Sequence, residues 1–310
     1  MKPAYVKLFR EGGLSERIDN AMALMEACRL CPRECGVNRL EGERGICKTG
    51  RMAIVSSYNA HFGEESPLVG RYGSGTIFMG GCNLLCNFCQ NYEISHSKEG
   101  VEVEPEQTAV MMIHLAEIGC HNINFVTPTH VVPQLLEALA QAVEQGLDIP
   151  LVYNSSGYDK KETLEILDGI VDIYMPDFKF WDGRWAERYC EAPDYPERAK
   201  DALKEMHRQV GDLVMDDQGV AVRGLLVRHL VMPGDVAGTE KVLEFIAREI
   251  SPSTYVNVMD QYRPCGNAHH DEYINRRLSS REFMGAMEAA RRAGLTRLDS
   301  RNRVRLVFAK

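Results

Sequence analysis

Gly80-Gly81-Cys82-Asn83-Leu84-Leu85-Cys86-Asn87-Phe88-Cys89-Gln90-Asn91-Tyr92 is the stretch on which the reading turns. It follows Thr76-Ile77-Phe78-Met79, a short apolar run that predicts a strand ending at a glycine pair. The cysteines are spaced C-x3-C-x2-C on what should be a loop. Thiolates at that spacing can converge on one soft metal centre, and they favour zinc or iron–sulfur over hard cations. A structural zinc takes four protein ligands, and an ordinary four-iron cluster takes four cysteines. Three thiolates therefore leave one iron of such a cluster open to a small molecule. Reduced cysteines without a metal are the plainer alternative; the crowding of three thiols on a glycine-flanked strand end argues against it.

Working outward toward the start, Cys28, Cys31, Cys35 and Cys47 form a second set, C-x2-C-x3-C-x11-C. Four soft ligands on a glycine-rich segment with little apolar material suit a closed metal site that folds the segment around itself. Zinc and an auxiliary four-iron cluster both fit, and a structural role is read ahead of electron transfer. Ten cysteines could also mean a disulfide scaffold. The clustered spacings, the length of 310 residues and a start (Met1-Lys2-Pro3-Ala4-Tyr5) without a secretory pattern favour metal ligation in a reducing cytoplasm instead. The net charge of −8 argues against a general nucleic-acid binder. No apolar run approaches membrane-spanning length. Apolar residues at 45% and charged ones at 26% are ordinary for a globular chain. The expected division is a Cys-rich metal-binding segment over 1–65 and a main domain over 66–310.

Beyond the cysteine loop, strand and helix patterns alternate. Helices are expected over Glu104–Gly119, Val131–Gln145, Lys160–Leu167, Gly183–Val210, Thr239–Ile250 and Ser279–Arg292, and strands over Asn122–Val126, Pro150–Tyr153, Val171–Met175, Val222–Met232 and Thr254–Met259. Met52–Phe62 reads as a strand bridging to the main domain. About six strand–helix repeats imply an α/β fold with a parallel sheet, most economically a partial (β/α)6 barrel, whose chemistry would sit at the carboxyl ends of the strands. Polar residues do gather there: Thr127-Pro128-Thr129-His130, Asn154-Ser155-Ser156-Gly157, Asp177-Phe178-Lys179, Arg228-His229, and Asp260-Gln261-Tyr262-Arg263.

Taken together, these residues resemble the radical S-adenosylmethionine (SAM) superfamily over nearly the whole chain, with Phe88 as the aromatic residue before the third cysteine. The Cys-Pro-Arg-x-Cys segment, Cys-Gln-Asn-Tyr and Met-Asp-Gln-Tyr-Arg-Pro resemble its pyruvate formate-lyase activating enzyme branch, specifically the PflX-like group of iron–sulfur proteins. The resemblance implies an oxidoreductase with a [4Fe-4S] cluster on Cys82, Cys86 and Cys89, and SAM chelated to the open iron. Reductive cleavage of SAM would give a 5′-deoxyadenosyl radical that takes hydrogen from a substrate. It implies cofactor contacts from Phe88, Asn91, Thr127, Thr129, Asn154, Ser155, Asp177, Lys179 and His229. Asn154, Ser155, Met175 and Asp177 fall where the activating enzyme builds a monovalent-cation site, with Asn154 in place of an aspartate. Thr127-Pro128-Thr129-His130 stands where that branch has Gly-Gly-Glu-Pro. The implied partners are a small molecule, a peptide or a partner protein as substrate, and an electron donor such as flavodoxin or ferredoxin; a glycyl-radical activase is one form of this.

Other residues have bland and sharp readings. Asp260, Tyr262 and Arg263 are assigned to substrate by their strand-end position, whereas His229, inside a strand, has a satisfied core histidine as its rival. Glu64-Glu65 reads as a solvated turn, Cys120 and Cys190 as structural or incidental, Cys265–His270 as a loop, and Trp181 and Trp185 as packing. The basic run Arg291, Arg292, Arg297, Arg301, Arg303 and Arg305 reads as a solvated face, with RNA or an acidic protein as the weaker option. A hypothesis of another class, a non-catalytic metal-binding or electron-transfer protein, explains the thiols but leaves the polar strand ends unexplained.

Overall fold

The chain was analysed as a computed structural model that describes residues 2–97 and 99–299. The antiparallel edge of its sheet comes first: β1 (Ala53–His61) pairs with β2 (Ser74–Met79), matching Tyr58 to Ile77 and His61 to Ser74. A short β3 (Val101–Val103) borders β1 on its other side. From β2 onward the sheet is parallel, running through β4 (Ile123–Val126), β5 (Leu151–Asn154), β6 (Ile173–Tyr174), β8 (Ala221–Leu230) and β9 (Tyr255–Met259). β7 (Val214–Met215) is an antiparallel appendage on β8. Six parallel strands with helices between them make the partial (β/α)6 barrel that the alternating pattern predicts.

The helices are α1 (Ala4–Arg10), α2 (Gly13–Ala23), α3 (Ser66–Val69), α4 (Tyr92–His96), α5 (Pro105–Glu117), α6 (Val132–Glu144), α7 (Lys161–Ile166), α8 (Gly183–Cys190), α9 (Tyr195–Val210), α10 (Thr239–Phe245) and α11 (Ser280–Arg292). Local chemistry fixes several of their starts. Capping boxes, Glu104 with Gln107 and Ser279 with Glu282, satisfy the first N–H groups of α5 and α11, and Pro105 opens α5. The polar helices expected across Gly183–Val210 are α8 and α9, separated at Glu191, which takes a left-handed conformation at φ 50°. Strand β6 is shorter than expected at both ends; at its C-terminal end Pro176 has no N–H to give the ladder, and pairing resumes as a single bridge between Asp177 and Arg228.

Alternation along the strands sorts side chains into two compartments. Ile123, Phe125, Leu151, Tyr153, Tyr174, Leu225, Val227, Val256 and Val258 join the core with the helices. The intervening residues Val152, Ile173, Leu226 and Tyr255 join Leu68 in a separate buried cluster, the floor of the barrel lumen. Two residues further along, the same face carries Asn154, Arg228 and Asn257, while Met175 stays in the apolar cluster, so polar groups from three strands stand on an apolar floor. The early helices belong to the same body: Tyr5, Val6, Leu14 and Ala21 join the main core, and Tyr5 donates its hydroxyl to Ile149 O at 2.8 Å. Residues on both sides of position 65 thus share one sheet and one core.

Candidate metal centre

The loop after β2 is held by its own backbone and by its neighbours. Gly80 N–H donates to Ile54 O at 2.7 Å, and a Cβ on Gly80 would lie 2.6 Å from the Ile54 side chain. Gly81 has φ 82°, and Leu85 adopts the left-handed region at φ 55°. Asn87 N–H donates to Tyr189 O at 2.9 Å, while Asn87 O accepts Asn267 N–H at 2.8 Å. Cys82 and Cys86 are buried and Cys89 half-buried. Burial pushes the Cys82 thiol up to about 12, with the Cys86 thiol adding to it, and burial likewise raises Cys89. Cys86 is raised by a hydrogen bond with the Cys190 thiol and then by burial. Cys190 is therefore not isolated; it touches this loop. Phe88 packs edge-on against Phe180 and Tyr189 and tilts against Tyr262 at centroid distances of 5.8, 6.1 and 6.2 Å.

At the lumen mouth Arg228 is the hub. Its guanidinium lies 3.2 Å from Asp177 Oδ1, 3.6 Å from Glu65 Oε1 and 3.8 Å from Glu64 Oε2, and 3.5 Å from Asn154 Oδ1. Asn257 donates to Glu65 Oε1 at 2.8 Å, and Lys179 Nζ to Asp177 Oδ2 at 2.5 Å. The turn reading of Glu64-Glu65 is corrected here: they are 7% and 3% exposed, because a cation from a distant strand meets them inside the barrel. Burial raises Glu65, whereas for Asp177 the charges of Lys179 and Arg228 outweigh burial and hold the carboxyl below its usual range. Lys179 also lies close enough to Cys86 for the two groups to perturb each other.

Not every residue assigned to cofactor reaches this mouth. Asp159, fully buried, accepts hydroxyls from Thr129 at 2.7 Å, Ser155 at 2.6 Å and Tyr153 at 2.9 Å. The hydroxyls of Thr129 and Ser155 are thus committed to a carboxylate packed with Tyr153. His229 is the satisfied core histidine: its Nδ1 meets Phe178 O at 2.7 Å and its Nε2 meets Thr239 Oγ1 at 2.9 Å, on the strand face opposite Arg228. Tyr262 is buried with its hydroxyl donating to Ile274 O at 2.8 Å, Arg263 is exposed, and Asp260 is half-buried. Asn91 is an exposed residue at the start of α4. Thr127 is half-buried and left-handed at φ 62°, a costly conformation for a β-branched residue, and its N–H donates to Asn154 O at 2.8 Å. The sequence reading places Arg228 at a strand end without assigning it a role, reads Glu64-Glu65 as a solvated turn, and passes over Asp159. Counting alternate residues from Val152 and Leu226 would have found Arg228 beside Asn154.

The four upstream cysteines, Cys28, Cys31, Cys35 and Cys47, all line one small cavity. Arg33, in their midst, donates to four backbone carbonyls: Asn83 O at 3.0 Å, Leu84 O at 3.2 Å, Cys190 O at 2.6 Å and Glu191 O. Arg39, 1% exposed, donates to Gly50 O and His130 O.

A family model for the radical SAM superfamily matches residues 76–246, more than half of the chain. The chain belongs to the radical SAM superfamily. Two uncharacterized proteins of Methanocaldococcus jannaschii are similar to it, one 35% identical over 91% of this chain and 79% of its own length, the other 27% identical over 76% and 73%. Among solved structures, a radical SAM methyltransferase from Sphaerobacter thermophilus shares the fold at a TM-score of 0.50 and 13% identity. That likeness covers 72% of this chain, which spans 64% of the methyltransferase chain.

Membership in the radical SAM superfamily implies a [4Fe-4S] cluster and SAM as cofactors. The donor set of the three-cysteine loop fits such a cluster. Backbone N–H groups of Leu84 and Leu85 are directed at the Cys82 sulfur, with Leu84 N at 3.4 Å, as a sulfur carrying negative charge requires. No group of three or more His, Cys, Asp or Glu side chains among the described residues is gathered to grip a single ion. A cluster gives each thiolate its own iron, so its ligands stand farther apart than those of one ion. No helix of the described residues is long and apolar enough to cross a membrane.

Proposed function

We propose that this chain is a radical SAM enzyme whose cluster is held by Cys82, Cys86 and Cys89. When bound, cluster and SAM together supply a 5′-deoxyadenosyl radical by one-electron cleavage of the sulfonium, and that radical takes hydrogen from a substrate. The observation that carries this is the placement of three thiols at the carboxyl end of β2, beside a polar lumen mouth built from the other strand ends. The chain's own part is to position and to exclude water. The buried thiols lose their protons on ligation, so cluster assembly releases protons. Lys179, held by Asp177 and close to Cys86, offers a cation to the carboxylate of SAM. Asn154 and the backbone around Thr127 offer acceptors to its ammonium. Phe88, wedged among Phe180, Tyr189 and Tyr262, stiffens the loop on which the three thiols sit.

The test is anaerobic reconstitution with iron and sulfide, reduction, and assay of 5′-deoxyadenosine. Wild type should form it and the C82A/C86A/C89A variant should not. A loaded wild-type cluster whose EPR signal ignores SAM and which makes no deoxyadenosine would return the chain to the class of metal-binding or electron-transfer proteins. Resemblance supports the finer placement in the activating-enzyme branch. There, mixing with a glycyl-radical partner should yield a glycyl-type EPR doublet, and its absence across such partners would remove that placement.

A further inference from the structure

Four thiols take no part in the chemistry proposed above. They belong to a segment whose apolar cluster is Met25, Cys28 and Leu30 with Met22, Leu24 and Val37 against it, a small core that a metal would reinforce. Its walls are close: a Cβ on Gly45 would lie 2.7 Å from Cys35 Sγ, which also accepts Ile46 N–H at 3.5 Å. Two buried acceptor atoms belong to residues that border the cavity, His130 Nδ1 and Asn83 Oδ1, and neither has a hydrogen-bond partner among the described residues. His130 Nε2 faces the carbonyl oxygen of Gly80 at 2.9 Å, so it carries the proton and Nδ1 is a bare lone pair. A cluster held by four thiolates offers these acceptors neither a donor nor an open iron, so they do not bear on the choice of metal. Four thiols satisfy one zinc or give each iron of a four-iron cluster its own ligand; what separates the two here is the neighbouring three-cysteine loop.

The cavity shares a wall with the three-cysteine loop. Asn83 follows Cys82 in that loop and also borders the cavity. Gly81, before Cys82, lies against Cys47, since a Cβ there would come within 2.6 Å of Cys47 O. Arg33, between Cys31 and Cys35, donates to the loop carbonyls of Asn83 and Leu84. We propose that Cys28, Cys31, Cys35 and Cys47 hold a second iron–sulfur cluster, and that it passes single electrons across the Gly81–Leu84 backbone to the first. The transfer balances simply. A low-potential one-electron carrier protein is oxidised by one electron, the second cluster is reduced and reoxidised in turn, and the electron ends on the loop cluster with no bond made and no proton moved. The proposal rests on Cys82, Cys86 and Cys89 holding the first cluster.

The experiment compares full-length wild type, C82A/C86A/C89A and C28S/C35S after anaerobic reconstitution. Iron counts of about eight, four and four per chain are expected. The EPR signal of reduced wild type should be broader and relax faster than the sum of the two variants' signals. The deoxyadenosine made with reduced flavodoxin, relative to that made with dithionite, should fall roughly tenfold in C28S/C35S. About four irons in wild type, or zinc in place of iron in C82A/C86A/C89A, overturns the second cluster; a wild-type spectrum equal to the simple sum overturns the transfer. The wild-type iron count and its microwave-power saturation need no substitution, so a variant that fails to fold leaves the test standing. Eight irons with coupled signals but no response to SAM would reject the SAM chemistry and keep this inference.

Discussion

Asp172 shows how burial writes a pH dependence into one residue. It is 4% exposed, accepts Leu151 N–H at 2.9 Å, and burial pushes its carboxyl up to about 6. A raised carboxyl means the folded state binds this proton more tightly than the unfolded chain. Its contribution to stability is therefore fullest below about pH 4 and is lost as the pH climbs through about 6. Asp172→Asn should remove that loss, so the variant gains on wild type between pH 4 and pH 7 by up to about 3 kcal/mol in denaturant unfolding of the metal-free protein. A gap that does not change with pH would refute the assignment. Arg228 is the opposite case, a half-buried cation that keeps buried carboxylates in place. Arg228→Met should cost about 3–5 kcal/mol, and adding Glu65→Gln should recover part of it if the two charges are coupled as the 3.6 Å separation indicates. These two residues also mark the limit of sequence reading. The strand-end rule located Asn154, Asp177 and Lys179, because each follows a recognisable strand. It could not see that Glu64-Glu65 would be buried by an arginine from β8, or that Asp159 would claim the hydroxyls of Thr129 and Ser155. Those outcomes depend on competing partners far away in the chain, and no local pattern encodes them.

At the scale of elements, the parallel sheet was legible because each strand carries a short apolar run bounded by turn residues, with a helical period between. Element ends were less so. The break after Cys190 and the shortening of β6 at Pro176 follow from single residues within longer runs of one character. The junction of β5 and β6 is tight where Gly157 meets Asp177. Gly157 has φ 76°, and a Cβ there would fall 2.1 Å from Asp177 O. Gly157→Ala should therefore push Asp177 and Lys179 away from the mouth, costing about 2 kcal/mol or more. We expect the iron content of the loop to survive while the shift of its EPR signal with SAM weakens; equal loss of both would mean the strand end carries the cysteine loop rather than the cofactor contacts. The C-terminal arginines divide likewise. Arg291 and Arg292 pair with Glu288 and Glu240, and Arg297 donates to Leu213 O, whereas Arg301, Arg303 and Arg305 lie outside the described residues.

At the scale of the molecule, the two cysteine sets are one structure. Replacing Arg33 by alanine removes four hydrogen bonds from the N-terminal segment to the loop and to the end of α8, worth about 1–3 kcal/mol each to the carbonyls left behind. Amide hydrogen exchange should then rise together over residues 28–47 and 82–89, with β5 and β8 unchanged; exchange rising in only one segment would show that the two open independently. All four acceptors of Arg33 are main-chain carbonyls, and that has a consequence for descent. A guanidinium that meets these four residues only at their carbonyls does not read the side chains of Asn83, Leu84, Cys190 or Glu191. Among relatives those four positions are free to drift as far as this clamp is concerned, while the arginine itself is not. Mutational scanning should find Arg33 intolerant and the exposed Glu191 permissive, with Asn83, Leu84 and Cys190 constrained by their own burial rather than by this clamp.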